Sequence, residues 1–196
     1  MGSTRRCIAG TAVITTIVIS GTIACKRSTP PPVETPASAM IPVGTVKDVM
    51  KGIIDPTSSV LWNSVGVESG PAGLIDRSPK NDEEWAVVQN NALSLAEAAN
   101  LLEMPGRKMS KPEEANSKGT PDAPELTPAQ IEEKVNKDPA AWNGKADALR
   151  QSASKALAFA RAHDKDGLLA VGEEIDNACE SCHKVYWYPD QVAPKQ

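Results

Sequence analysis

Aromatic residues and histidines are scarce in this chain of 196 residues, which holds one Phe, two Tyr and two His. With so few aromatics and no segment that alternates apolar and polar residues, a sheet is not expected. Metal chemistry is limited as well. A tetrahedral zinc site needs four ligands, yet His163 is the only histidine besides His183, and Cys7 and Cys25 lie far away in an N-terminal segment of different character. No paired carboxylates, Ser/His/Asp set or phosphate-binding loop is present, so hydrolase and transferase chemistry has nothing to stand on and no enzyme is expected.

A basic surface is missing too. The formal charge is −4, and leaving out Arg5 and Arg6 of the leader leaves 19 Lys and Arg against 25 Asp and Glu, a formal −6. Such a balance argues against nucleic acid as a partner.

What is present is the run Cys179-Glu180-Ser181-Cys182-His183. C-x-x-C-H is the pattern on which two thiols capture the vinyl groups of a haem while the adjacent imidazole takes the iron. One covalent haem c is therefore expected, with Cys179 and Cys182 as thioether residues and His183 as the proximal ligand. A thioredoxin-like dithiol would need a strand before the motif and a βαβ context, whereas these residues continue a helical pattern.

Residues 1–24 have the form of an export signal. Arg5-Arg6 supply a positive n-region, and Ile8 to Ala24 carry no charge. The Ala24-Cys25 step resembles the lipobox of bacterial lipoproteins, although Thr22 stands where an aliphatic residue is usual. That resemblance implies a lipid on Cys25 and a membrane-anchored lipoprotein on the periplasmic side of the envelope. Two alternatives stay open: ordinary cleavage after Ala24, or an uncleaved anchor at the short end of the ~17 to 25 residues a spanning helix needs.

Residues 25–43 include Pro30, Pro31, Pro32, Pro36 and Pro42 and read as an extended tether. Residues 44–196 have the size of one domain. Its first helical segment carries Val46, Val49, Met50, Ile53, Ile54, Val60, Leu61 and Val65 at helix spacing, with a kink or a restart capped by Asp55 before Pro56. The second begins after Asn81 and buries Trp85, Val88, Ala92, Leu95, Ala99 and Leu102. Residues 105–126 are polar and aperiodic, an inserted loop. Thr127 to Gln130 reads as a capping box for a short helix, and Asp138-Pro139 starts the third long one, with Trp142, Ala146, Leu149, Ala153, Ala156, Phe159 and Ala160 on one face. The fourth runs from about Asp166 through Cys182 and Tyr186 to Pro189. An all-α, antiparallel up-down-up-down four-helix bundle is the economical arrangement.

Four helices of this size, with C-E-S-C-H-K-V-Y-W-Y close to the C-terminus, resemble the class II c-type cytochromes, the cytochrome c′ group. The likeness spans roughly Val46 to Tyr188. It implies a monohaem carrier of single electrons in the periplasm, served by redox partner proteins whose identity the sequence does not carry, and a possible homodimer. The alternative within the same resemblance is a five-coordinate haem protein that binds nitric oxide or carbon monoxide. The loop and the tether depart from the group and are expected to leave the haem site alone.

The sixth iron ligand decides between those functions, since a thioether gives a low-spin carrier and an open face gives a gas site. In an antiparallel bundle the end of helix four lies beside the start of helix one, where Met50 is the candidate distal ligand. Met104 and Met109, near the end of helix two, are rivals, with Met104 next in line. His163 falls at the wrong end of helix three, ~30 Å away at 1.5 Å per residue. Tyr186 follows Cys182 by one turn and is expected to pack against the macrocycle. Trp62, Trp85, Trp142 and Trp187 read as core and cap residues.

Overall fold

A computed structural model describes residues 40–71, 73–119 and 124–189, all within one compact unit, Ala39–Gln196. The export signal and most of the tether lie outside the described residues. The fold is mostly helical: α1 (Val46–Val49), a π-helical turn (Met50–Ile54), α2 (Asp55–Ser64), strands β1 (Gly66–Gly70) and β2 (Gly73–Arg77), α3 (Asp82–Leu102), a 3₁₀ turn (Pro112–Glu114), α4 (Pro128–Lys137), α5 (Pro139–Arg161) and α6 (Lys165–Tyr186).

The helix starts follow the side chains that satisfy their free N–H groups. Thr45 with Asp48 and Thr127 with Gln130 form reciprocal capping boxes. Asn81, Asp138 and Asp164 accept from the amides of Glu84, Ala141 and Gly167. The last helix therefore begins at Lys165, one residue before the position read from periodicity.

Helix one departs from the expected restart. Asp55 is helical (φ −58°, ψ −52°) and caps nothing; its amide donates five residues back, to the carbonyl of Met50. The widened turn answers Pro56, which has no N–H and whose ring would clash with the carbonyl four residues earlier. The hydroxyl of Thr57 donates to the carbonyl of Ile53 at 2.6 Å, and that of Ser58 to Ile54 at 2.9 Å. The helix passes the proline without a break, so Met50 stays in register with Val46 and Val49.

The sheet that was not expected is a two-stranded antiparallel hairpin, with Gly66 opposite Arg77 and Gly70 opposite Gly73. Its residues are exposed or half-buried on both faces, so no alternation was needed to build it. Gly73 takes φ +110°, a conformation that favours glycine, and Glu68 pairs with Arg77 across the strands.

The core joins the apolar stripes of α2, α3, α5 and α6. Contacts between α5 and α6 run in opposite senses: Trp142 meets Tyr186, and Lys155 pairs with Glu174. Between α3 and α5, the Trp142 indole donates to the carbonyl of Leu102 at 2.9 Å while Trp85 stacks on His163 beyond the other end of α5. The end of α6 is thereby placed beside the start of α5 and the end of α3. Phe159, expected on the buried face, is half-buried; it packs against the core and also lies against Gly167.

Candidate functional site

Residues 175, 178, 179, 182 and 186 recur at three and four positions along α6, so one face carries both thiols and Tyr186. Ile175, Ala178 and Tyr186 are buried there, and Cys179 and Cys182 are partly buried against the core. His183 stands four residues after Cys179. Cys179, Cys182, His183 and Tyr186 all line a single cavity of about 700 Å³. That volume lies within the roughly 300 to 1,000 Å³ of small-molecule and cofactor sites.

Its other walls come from Val46, Met50 and Ile54 on helix one, Leu102 at the end of α3, and Trp142, Ala146 and Leu149 on α5. Most of this surface is apolar. The proximity of helix one to the motif, expected from an antiparallel arrangement, brings Met50 into the same cavity as His183. Tyr186 is 4% exposed and meets Trp142 edge to face at 5.0 Å between ring centroids. It is fixed in the wall by packing.

The loop does not leave the site alone, as the sequence had led us to expect. Met109 is buried and lines the cavity together with Ser117, Lys118, Gly119, Glu125 and Leu126. Backbone bonds dock the loop: Val46 donates to Lys108 at 2.8 Å, Lys47 to Met109 at 3.1 Å, and Leu126 to Trp187 at 2.7 Å. Ion pairs Lys47–Glu114 and Lys108–Glu132 add to this. An aperiodic polar stretch carries no face that periodicity could reveal, and its two large apolar residues, Met109 and Leu126, were its only signal.

Met104, a rival to Met50, lies apart from the cavity. Its sulfur accepts a hydrogen bond from Arg107 at 3.0 Å, and it lines a separate groove with Val49, Ile53 and Leu101. Met50 and Met109 are the methionines on the cavity wall. His163, with φ +54°, stacks on Trp85 at 4.9 Å and does not line the cavity.

The electrostatics of the motif follow from its burial. Burial, with Asp176 adding to it, pushes the Cys179 thiol up to about 11. Burial likewise pushes Cys182 up to about 11, with Lys145 pulling the other way. Dithiol catalysts need the reverse, a thiol lowered towards neutrality. Burial holds the His183 imidazole below its ordinary value, opposed by Glu180, which favours the neutral ring that ligates metals.

The segment after α6 folds back on the motif. Trp187 and Tyr188 both donate their amides to the carbonyl of His183, at 2.8 and 3.0 Å. Their rings stand edge-on to its imidazole, with centroids 5.2 and 5.9 Å away. The Tyr188 hydroxyl donates to Glu180, inside the C-x-x-C spacer. Pro189 is not what ends the helix, which closes at Tyr186 on these two bonds.

Among the described residues no three His, Cys, Asp or Glu side chains gather to hold an ion, and no helix is long and apolar enough to cross a membrane. No family model, curated protein or solved structure matches the chain.

Proposed function

We propose that this chain is a monohaem c-type cytochrome of the cytochrome c′ kind, an up-down-up-down four-helix bundle that carries single electrons on the periplasmic side of the envelope. The observation that carries the reading is the grouping of Cys179, Cys182 and His183 on the wall of one largely apolar cavity of about 700 Å³. A haem bound there supplies a one-electron iron centre. The chain supplies the rest.

Cys179 and Cys182 would hold the group by thioether bonds, and the half-buried imidazole of His183 would take the iron. Trp187 and Tyr188 stand edge-on against the ring and orient it. Met50, on the wall of the same cavity, would offer the iron a soft thioether, which would raise its potential relative to a nitrogen ligand. Leu102, Ala146 and Leu149 would lay apolar surface against the group.

The covalent claim is tested by haem staining of the denatured protein and of Cys179→Ala/Cys182→Ala. Stain in the wild type and none in the double variant is expected. Stain that survives the double substitution refutes the attachment. A ferrous absorption spectrum with sharp α and β bands, unchanged by carbon monoxide, supports electron transfer; a high-spin spectrum that shifts with the gas supports a nitric oxide or carbon monoxide protein instead. Lipid anchoring is tested at Cys25, outside the described residues. Cys25→Ala should release the chain from membranes or block its maturation, and an unchanged mass and membrane partition rules the lipid out.

A further inference from the structure

The cavity carries a second thioether besides that of Met50. Met109 is 7% exposed, belongs to the core cluster and lines the same wall, although it comes from a loop and not from a helix. Its position is built. The Lys47 amide donates to the Met109 carbonyl at 3.1 Å, one turn before Met50, so the backbone of one methionine runs beside the helix that bears the other. The Met109 amide points to Glu132 at 3.4 Å, and Glu132 is held in turn by Lys108 at 2.6 Å. Met50 is held less firmly. It is half-buried and opens the π-helical turn.

We propose that Met109 is a second sulfur donor to the same iron position as Met50, and that either thioether takes the position when the other is absent. The inference rests on the haem reading above. Two features favour it. Thioethers on unbranched side chains with three rotatable bonds can reach across several ångströms without moving backbone. Among the described residues neither sulfur accepts a hydrogen bond, in contrast to that of Met104, which accepts from Arg107. Exchange between them makes one sulfur–iron bond and breaks another, with no change in proton or electron count. The chain thus keeps a low-spin centre through the loss of either methionine.

The test uses the full-length, haem-loaded protein with Met50→Leu, Met109→Leu and the double variant. Leucine keeps volume and apolarity, so folding is preserved where alanine would leave a cavity in the core. The readouts are the thioether-to-iron charge-transfer band of the ferric protein, its low-spin electron paramagnetic resonance signal, and carbon monoxide binding to the ferrous protein. Each single variant should keep the band and the low-spin signal, and the double variant should lose both and open to the gas. The inference is overturned if Met50→Leu alone is as high-spin and as open as the double variant, or if the wild type is high-spin already. If the wild type holds no covalent haem, the parent reading fails with it; haem present with a low-spin signal that is lost in Met50→Leu alone, or that survives in the double variant, overturns this inference alone.

Discussion

Arg107 donates a hydrogen bond to the sulfur of Met104 at 3.0 Å, and the same guanidinium reaches the carbonyl of Leu101 at 2.6 Å. The pair closes the end of α3 onto residue 44, whose carbonyl accepts a third bond from Arg107. Met104 therefore belongs to the hinge between α3 and the loop, not to the cavity wall.

Met104→Leu should leave the absorption spectrum and the midpoint potential of the haem-loaded protein unchanged. Its cost is confined to stability, below about 1.5 kcal/mol for a swap that conserves volume. A loss of low-spin character in this variant would put Met104 back among the ligands.

Only two tyrosines occur, which makes their titration readable. Burial first, then the bond to Glu180, pushes Tyr188 up to about 12, and burial raises Tyr186 as well. Because the folded phenol sits above its ordinary ~10, its contribution to stability is full below that value and fades as pH rises towards 12. Glu180 behaves in the opposite sense: its carboxyl is lowered by the Tyr188 and Lys184 hydrogen bonds, so its contribution fades as pH falls through the folded value. In an ultraviolet titration, Glu180→Gln should bring one phenolate transition down and leave the other in place. Two unmoved transitions would mean that the Tyr188–Glu180 bond is not formed in solution.

Gly167, in the first turn of the last helix, lies against Phe159. A Cβ there would lie 2.3 Å from the Phe159 ring and 2.6 Å from the capping carboxylate of Asp164. Gly167→Ala thus displaces an aromatic ring and the N-cap together. A loss of about 1 to 3 kcal/mol is expected, the usual range for overpacking, read from the urea midpoint at constant slope. An unchanged midpoint would show that Phe159 moves aside freely.

The long helices were legible because each has a cap and an apolar stripe at helical spacing; Asn81 with Trp85, Val88 and Ala92 is such a case, and all three are buried. The convergence of Met50 with the C-x-x-C-H motif followed from chain direction alone. Three things were not legible. The hairpin at Gly66–Arg77 hides because exposed strands need no alternation. The π-helical turn hides because Pro56 reads as a kink or a restart, and the hydroxyls of buried Thr57 and Ser58, which donate to the carbonyls of Ile53 and Ile54, belong to no apolar stripe. The docking of residues 105–119 hides because backbone bonds such as Lys47 to Met109 leave no mark on side-chain pattern.

Glu132 is the residue on which that docking turns, since its carboxylate takes both the Lys108 ammonium and the Met109 amide. The Lys108 hydrogen bond holds its carboxyl below the usual range, with burial acting against it. Glu132→Ala removes both bonds while leaving the apolar contacts of Met109 in place, so the loop should open locally without unfolding the helices. One or two kcal/mol of local stability corresponds to a factor of about 5 to 30 in opening. Hydrogen exchange at the amides of Val46, Lys47 and Met109 should rise by about that factor, and amides in the middle of α3 and α5 should not change. If exchange rises everywhere alike, the loop is part of the global unfolding unit and Glu132 merely adds to overall stability. If it rises nowhere, the backbone bonds from Val46 and Lys47 hold the loop without help from the carboxylate.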